Sequence, residues 1–360
     1  MSRTIVPFGP QHPVLPEPLH LKLTLEDEKV VEAVPALGYV HRGLEALAVT
    51  RDFHQMVYVV ERVCGICSCI HAMCYCNCIE KLMGLEIPPK AKYLRIIWSE
   101  LHRLHSHLLF LGCFAEAFGF ESLFMAFWRV RERVMDIFEA TAGNRVIISV
   151  NIIGGVRRDI SDAMLQHILR DLDIIEKEIK PLYTTMMNDY TIQQRTVGIG
   201  VLSKEQAYVL GAAGPVLRAS GWAQDMRMLK YEAYPDLDFE PVVEHDGDSY
   251  ARTKVRFREA FQCIDLVRQA IRKIPADDDL AVKVKGNPPA GEITFRVEQP
   301  RGELFYYVKC NGDKNPERVR IRTPTFANIP PLLAMLPGAQ LADVPVLVIT
   351  IDPCISCTER

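Results

Sequence analysis

Pro89-Lys-Ala-Lys-Tyr-Leu-Arg-Ile-Ile-Trp-Ser-Glu-Leu-His-Arg-Leu-His-Ser-His-Leu-Leu-Phe-Leu111 carries Leu94, Ile97, Leu101, Leu104, Leu108 and Leu111 at alternating spacings of three and four. That period places apolar side chains along one stripe of an α-helix. Towards Arg145 the pattern returns with Phe124, Phe127, Val130 and Val134, so two long helices are expected to pack as a hairpin. A third is expected to open at Ser161-Asp162, after the turn Gly154-Gly155. It would carry Met164, Leu165, Ile168, Leu172, Ile175 and Ile179 and stop before Pro181. A long-helix bundle is therefore the expected core.

Around it the chain reads differently. Phe8 to Pro18 holds too many prolines for a helix and reads as a loop. Leu19, Leu21, Leu23 and Leu25 then alternate with polar residues, as a strand entering a hairpin through Asp27-Glu28 would. Ser203 to Ala213 and Tyr250 to Ile274 look helical. Glu292 to Val297, Leu304 to Cys310 and Val319 to Arg322 are β-rich around Asn311-Gly312. The Pro and Gly clusters at 286–291 and 329–338 read as loops. The expected fold class is mainly α with a small β part (α+β): a long-helix bundle with small N-terminal and C-terminal sheets, in one domain spanning 1–360.

Composition limits the function. With 49% hydrophobic and 24% charged residues and a mean hydropathy of +0.04, the chain has the make-up of a soluble, well-packed protein. The net charge of −3, with Lys and Arg spread along the chain, argues against nucleic acid as a partner. Apolar runs such as Leu108 to Phe114 fall far short of the ~20 residues that span a bilayer, and the N-terminus lacks a signal-peptide core. The chain is expected to be cytoplasmic, with no transmembrane segment of its own.

Six of the 11 cysteines crowd between Cys64 and Cys78, and an odd count fits metal or reduced-thiol use better than a disulfide framework. Two Cys-x-x-Cys pairs stand out, Cys64 with Cys67 and Cys354 with Cys357. Chance would give roughly 0.3 such pairs at this cysteine content, so some chemistry maintains them. Each pair presents two sulfurs to one centre, and four thiolates suit a soft metal. Structural zinc is the plain alternative. It usually clips short loops in small domains, whereas these pairs lie far apart in a chain with ample core.

The segments around the pairs, Arg62-Val-Cys-Gly-Ile-Cys-Ser-Cys-Ile-His71 and Asp352-Pro-Cys-Ile-Ser-Cys-Thr-Glu-Arg360, closely resemble the two nickel-binding motifs of nickel-iron (NiFe) hydrogenase large subunits. The resemblance extends through Gly9-Pro-Gln-His-Pro13, Gly38-Tyr-Val-His-Arg-Gly-Leu-Glu45, Glu100-Leu-His-Arg103, Arg218-Ala-Ser-Gly221 with Asp225 and Arg227, Gly247-Asp-Ser-Tyr-Ala-Arg252 and Pro300-Arg-Gly-Glu303. These are shared with the quinone-site subunit of respiratory complex I, which lacks the four cysteines. Similarity to both marks the energy-converting, membrane-associated hydrogenases, and the compact length looks most like the Ech and CO-induced types.

The resemblance implies specific roles. Cys64 and Cys354 would be terminal nickel ligands, and Cys67 and Cys357 would bridge nickel to an iron carrying carbon monoxide and cyanide, a Ni-Fe(CN)2(CO) centre. Cys354 would be the first proton acceptor and Glu17 the gate of the proton path, otherwise a loop carboxylate. Arg301 would hang over the open metal position, otherwise a turn arginine beside Gly302. Asp352 would orient Arg301 or bond a cysteine sulfur, otherwise cap a turn before Pro353. His71 would lie near the bridging sulfur, and Thr323 or Thr325 would donate to a cyanide. Glu45 resembles a ligand of a second divalent cation, Mg or Fe, whose histidine partner is here Arg360. Arginine cannot ligate a metal and could pair with Glu45 instead.

The remaining cysteines, Cys69, Cys74, Cys76, Cys78, Cys113, Cys263 and Cys310, match no common ferredoxin run and read as buried thiols, so no iron-sulfur cluster is expected in this chain. Electrons must then come through partners. The resemblance implies a small subunit with a 4Fe-4S cluster, a ferredoxin-like polyferredoxin subunit, integral membrane ion-translocating subunits, and ferredoxin or a CO dehydrogenase as external donor. The chain would sit peripherally on the cytoplasmic side of the membrane. Hydrogenase large subunits commonly lose a C-terminal extension just past the second motif, and the resemblance implies that this chain has the length of a processed subunit, either because the extension is never encoded, as in the Ech and CO-induced types, or because the sequence is the mature form. The alternatives are a quinone-site or structural subunit of a complex I-like assembly, and a zinc-stapled helical scaffold.

Overall fold

The computed structural model describes residues 3–276 and 279–360; Met1-Ser2, the start of the N-terminal segment read as lacking a signal-peptide core, lies outside them. Three small antiparallel sheets flank the helices: β1 (Thr4–Phe8), β2 (His20–Glu26) and β3 (Lys29–Ala36); β4 (Asn151–Ile152) and β5 (Gly155–Val156); β6 (Gly291–Gln299), β7 (Gly302–Cys310) and β8 (Arg318–Arg322). In β2 the alternating leucines are buried. The hairpin to β3 turns at Asp27 and Glu28, both at positive φ, as a two-residue turn with the twist of its strands requires.

The helices are α1 (Leu44–Ala48), α2 (Gln55–Glu61), α3 (Ser68–Met83), α4 (Pro89–Glu116), α5 (Glu121–Ala142), α6 (Asp162–Asn188), α7 (Tyr190–Gln194), α8 (Lys204–Val209), α9 (Pro215–Ala219), α10 (Ser249–Lys273), α11 (Pro324–Met335), α12 (Val344–Thr350) and α13 (Ile355–Glu359). With about 51% helix against 14% strand, the architecture is mainly α with small sheets. Pro89 starts α4 at its first position, where a missing N–H costs nothing. The Ser161 hydroxyl caps α6 by accepting from Met164 N.

All six apolar positions of the α4 stripe are fully buried, between α5 and α10. The opposite face of α4 is buried too, although it carries charge. Glu100 is paired with Arg103 and Arg227, and His107 with Glu259. Arg218 of α9 meets Asp225, Glu259 and Glu298. Buried ions persist only when paired in this way. The residues Glu100, Arg103, Arg218, Asp225 and Arg227 thus form one ionic lattice that ties α4, α9 and α10 to β6.

Several expectations change. α6 does not stop before Pro181 but runs on to Asn188. An internal proline costs a helix ~3 kcal/mol. Here Met186 and Met187 beyond it are buried, and Tyr183 stacks edge-on against Phe257, so packing offsets the lost hydrogen bond. Residues 329–338 are not simply loop, because α11 continues through Pro330 and Pro331 to bury Leu332 and Met335. The helix at 203–213 is shorter, ending at Val209, with Ser203 and Gln206 forming a capping box. β1 and α3 were not read from the sequence. Every residue of α3 from Ser68 to Cys76 is buried, so it shows no amphipathic stripe. Among the described residues no helix is long and apolar enough to cross a membrane.

Candidate metal centre

Both cysteine motifs sit at helix starts. Cys67 is the N-cap of α3 and Cys354 the N-cap of α13. The fold brings them together: Cys64 Sγ lies 3.4 Å from Cys354 Sγ, and Cys67 Sγ lies 3.7 Å from Cys357 Sγ. All four are buried. Their donor atoms form two overlapping sets, Cys64 with Cys354 and Cys357, and Cys67 with His71 and Cys357, each within 4.8 Å.

Four thiols this close in a dry core cannot all ionise unaided. Hydrogen bonds from Cys354, Cys357 and Cys67 hold the Cys64 thiol well below its ordinary value. Burial pushes Cys67 and Cys357 up. For Cys354, the pull of its hydrogen bond with Cys357 is outweighed by that with Cys64 and by burial. Of the four, only Cys64 is favoured as a thiolate, and burial opposes charge on its neighbours. A soft dication displaces the remaining protons, and the donor set fits one. His71, held down to about 4 by burial, presents a neutral imidazole. Its Nε2 is 3.5 Å from Cys357 Sγ and its Nδ1 is 2.7 Å from the Tyr306 hydroxyl.

A closed structural zinc site would have no open side. Here a cavity of about 130 Å³ reaches Cys354, lined also by Glu17, Phe110, Cys113, Arg301 and Asp352. Arg301 stands on the β6–β7 turn, which passes so close to the backbone before α9 that a Cβ on Gly302 would fall 2.5 Å from Gly214 N. Glycine at both positions lets the turn seat. The Arg301 guanidinium then donates to the Asp352 carbonyl and to Asp352 Oδ1, both at 2.8 Å, and to Ser106 Oγ at 3.3 Å. Asp352 is at φ 54, a conformation that non-glycine residues seldom adopt, and its buried Oδ2 has no partner. Pairing with Arg301, and not a simple cap before Pro353, is its geometry.

Glu17 is no exposed loop carboxylate. Its Oε2 accepts a short hydrogen bond from Ile355 N and one of 2.9 Å from Ser356 N, and its Oε1 accepts from Ser356 Oγ at 2.8 Å. Ser356 Oγ is in turn 3.3 Å from Cys354 Sγ. Thr325 Oγ1 accepts from Cys354 N at 3.2 Å, and Thr323 Oγ1 donates to Cys357 O at 3.1 Å, so both threonines hold the backbone of the second motif. Sequence reasoning missed Ser356, which occupies an unspecified position inside Cys-x-x-Cys, and Tyr306, which lies on a strand that reads as plain β-structure. It also gave no role to Arg42, whose guanidinium donates to the carbonyls of Arg62, Val63 and Ser356 and so joins the two motifs.

The second cation does not fit at Glu45. Its Oε1 accepts from Ile321 N at 2.9 Å and faces Arg360 Nε at 3.1 Å, while Oε2 faces Arg320 Nη1 at 2.5 Å. Two guanidinium groups occupy the place a divalent ion would take. The remaining cysteines are free thiols, all buried except the partly buried Cys113.

The sequence matches the family described as "Respiratory-chain NADH dehydrogenase, 49 Kd subunit" over residues 118–286 and 278–360, and the family described as "Nickel-dependent hydrogenase" over 42–113. The carbon monoxide-induced hydrogenase of Rhodospirillum rubrum is 42% identical over 365 residues, with full coverage of both chains. The chain belongs to this family of hydrogenase and NADH dehydrogenase subunits. Within it, the membrane-bound hydrogenase subunit alpha of Pyrococcus furiosus is 39% identical over 99% of this chain and 87% of its own. A chain in the structure of the membrane-bound sulfane sulfur reductase, an archaeal respiratory membrane complex, superposes with a TM-score of 0.95 at 31% identity, covering 99% and 98% of the two chains. The ionic lattice and the cysteine centre are thus features of a family member whose relatives include subunits of membrane complexes.

Proposed function

We propose that this chain is the catalytic large subunit of an energy-converting NiFe hydrogenase, interconverting hydrogen with protons and low-potential ferredoxin electrons. The observation that carries the reading is the pair of overlapping donor sets sharing Cys357, placed beside an open cavity with a buried guanidinium at its edge. Cys64, Cys67, Cys354 and Cys357 would hold a Ni-Fe(CN)2(CO) group. When bound, that group supplies the redox chemistry for heterolytic splitting of hydrogen.

The protein handles the proton. Cys354 Sγ accepts it, the Ser356 hydroxyl passes it on, and Glu17 Oε1 receives it, along contacts of 3.3 and 2.8 Å. Arg301, locked by Asp352, keeps a fixed positive charge at the cavity wall where a polarised substrate would develop negative charge. Thr323, Thr325 and Arg42 fix the sulfur-bearing backbone, and His71 with Tyr306 fixes the side of Cys357.

Electrons would leave through a cluster-bearing small subunit and a polyferredoxin subunit. Membrane subunits would carry the ion translocation, with this chain peripheral on the cytoplasmic face. The alternative, a quinone-site subunit of a complex I-like assembly, is favoured by the length of the match to the 49 Kd family. Infrared spectra and nickel analysis of the purified complex decide between them. Carbon monoxide and cyanide bands with nickel and hydrogen uptake are expected; an active complex without nickel and without those bands would sink the hydrogenase reading.

A further inference from the structure

A buried carboxylate outside the metal centre adjoins the cysteine loop. Glu61 ends α2, three residues before Cys64. Its side chain is buried; Oε2 accepts from Ser149 Oγ at 2.5 Å, and Oε1 has no partner. Burial pushes this carboxyl up to about 7, against the opposing pull of Ser149, Arg62 and Arg157. A merely structural carboxylate would be expected to recruit one of those arginines. Both are turned elsewhere: Arg62 Nη1 donates to Tyr58 O at 2.8 Å and approaches Glu61 only to 3.8 Å, and Arg157 donates to the Tyr58 hydroxyl and lies over its ring.

Ser149 is held at φ 47, a left-handed conformation that strains a residue with a β-carbon. It lines an open cavity of about 460 Å³ together with Arg62, Asn144, Arg157 and Arg158. The same segment rests on the cysteine loop. Ser68 Oγ donates to Val146 O at 3.3 Å, and a Cβ on Gly65 would meet Val146 Cγ1 at 3.3 Å. The other titratable groups that feel Glu61 are Cys69 and Cys76 of α3, and burial pushes both thiols up, so both stay neutral.

We propose that Glu61 is a proton-loading site for the redox centre. Its carboxylate takes one proton from the arginine-lined cavity, past the Ser149 hydroxyl, when one electron reaches the centre held by the Cys64–Cys67 loop. It returns that proton when the electron leaves. The electron adds one negative charge to the centre, and the proton converts carboxylate to carboxylic acid, so the net charge of this buried region is unchanged. The driving force is Coulombic: charge added in a low-dielectric interior raises the proton affinity of a nearby carboxylate, and by linkage the proton favours the electron. The arginine side chains make the cavity mouth polar, while the nearest of them, Arg62, stays 3.8 Å from the carboxylate and offsets its charge only in part.

The inference rests on the metal-centre reading, and its test separates the two. Nickel-loaded complexes of the natural chain, Glu61→Gln and Ser149→Gly are compared by infrared difference spectroscopy between reduced and oxidised states across a pH series. The diatomic bands report the centre, and the carboxylic C=O stretch reports the proton. In the natural chain a protonated-carboxyl band gains intensity on reduction, and the midpoint potential of the centre depends on pH around 7. Glu61→Gln loses that band and flattens the dependence with the diatomic bands intact. Ser149→Gly suits the left-handed φ and removes a hydrogen bond that favours the charged form, so it moves the inflection to higher pH. Unchanged band and slope in Glu61→Gln overturn the proposal. Should Glu61→Gln fail to load metal, an unmoved inflection in Ser149→Gly overturns it. Absence of diatomic bands from the natural chain overturns the metal-centre reading itself.

Discussion

Glu45 and Arg360 are joined by an ion pair of 3.1 Å across 315 positions of sequence, tying the last residue of the described chain to α1. Arg320 and Ile321 N bind the same carboxylate. Arg360 also returns its backbone carbonyl to Arg42 N and Leu44 N. The guanidinium thus does structurally what a bound cation would do. Removing exchangeable Mg²⁺ with a chelator is expected to leave the unfolding midpoint unchanged. Glu45→Ala, which strands a buried N–H and two guanidinium groups, is expected to lose about 1–3 kcal/mol in denaturant unfolding. A midpoint that falls on chelation, in protein whose nickel content is unaltered, would argue for a cation after all.

Ser356 bridges Cys354 to Glu17, so the proposed proton route can be cut at two points. Glu17→Gln is expected to abolish turnover while nickel is retained, because the amide cannot take up the proton. Ser356→Ala is expected to slow turnover by 10²-fold or less, since a water can substitute for a hydroxyl relay. Hydrogen–deuterium exchange by the loaded complex is the measurement. Full activity in Glu17→Gln would close this route.

Arg301 reaches Asp352 through Nε and Nη2, a fork that lysine cannot reproduce. Arg301→Lys is expected to lower kcat by roughly 10–100-fold without loss of nickel, and Asp352→Asn to do less. Equal activity of Arg301→Lys and the natural chain would show that a positive charge is sufficient there.

Cys357 belongs to both donor sets and Cys64 to one. On the proposed reading Cys357→Ser is therefore expected to lose both nickel and iron, whereas Cys64→Ser or Cys354→Ser, each at a proposed terminal ligand, loses nickel preferentially. Metal content by mass spectrometry of purified protein distinguishes the cases.

His102 is fully buried on α4, and burial holds it down to about 4, against 6.5 for the exposed imidazole. Between those values the unfolded chain binds a proton that the folded chain does not. The contribution to stability is therefore complete above about pH 6.5 and is lost as pH falls towards 4, at up to roughly 1.4 kcal/mol per pH unit. Replacing His102 with Gln is expected to make the acid limb of the stability curve shallower. An unchanged limb would show that other groups control acid unfolding.

The periodic segments were legible because their pattern is local. The stripe of α4, the Ser161 cap of α6 and the Asp27-Glu28 turn each announce themselves within a few residues. Where buried side chains of every face are small, apolar or thiol, with no charged face to contrast, the pattern disappears, and α3 shows no stripe for that reason. The prolines in α6 and α11 misled for a related one: the penalty of Pro181 is local and visible, whereas the packing of Tyr183, Met186 and Met187 that outweighs it is not.

The sequence by itself determined the helical core, the four cysteines and the family to which they belong, since spacing and residue type carry that information directly. Tertiary structure alone decided what each site group touches. It put Ser356 between Cys354 and Glu17, set Arg301 on Asp352, gave Glu45 two arginines instead of a cation, and left Glu61 buried with Arg62 no nearer than 3.8 Å. Most of these pairings join residues far apart in sequence, from 51 positions for Arg301 with Asp352 to 339 for Ser356 with Glu17, and no local period encodes them. They follow from where the packing of α4, α11, α12 and the C-terminal sheet brings the chain together.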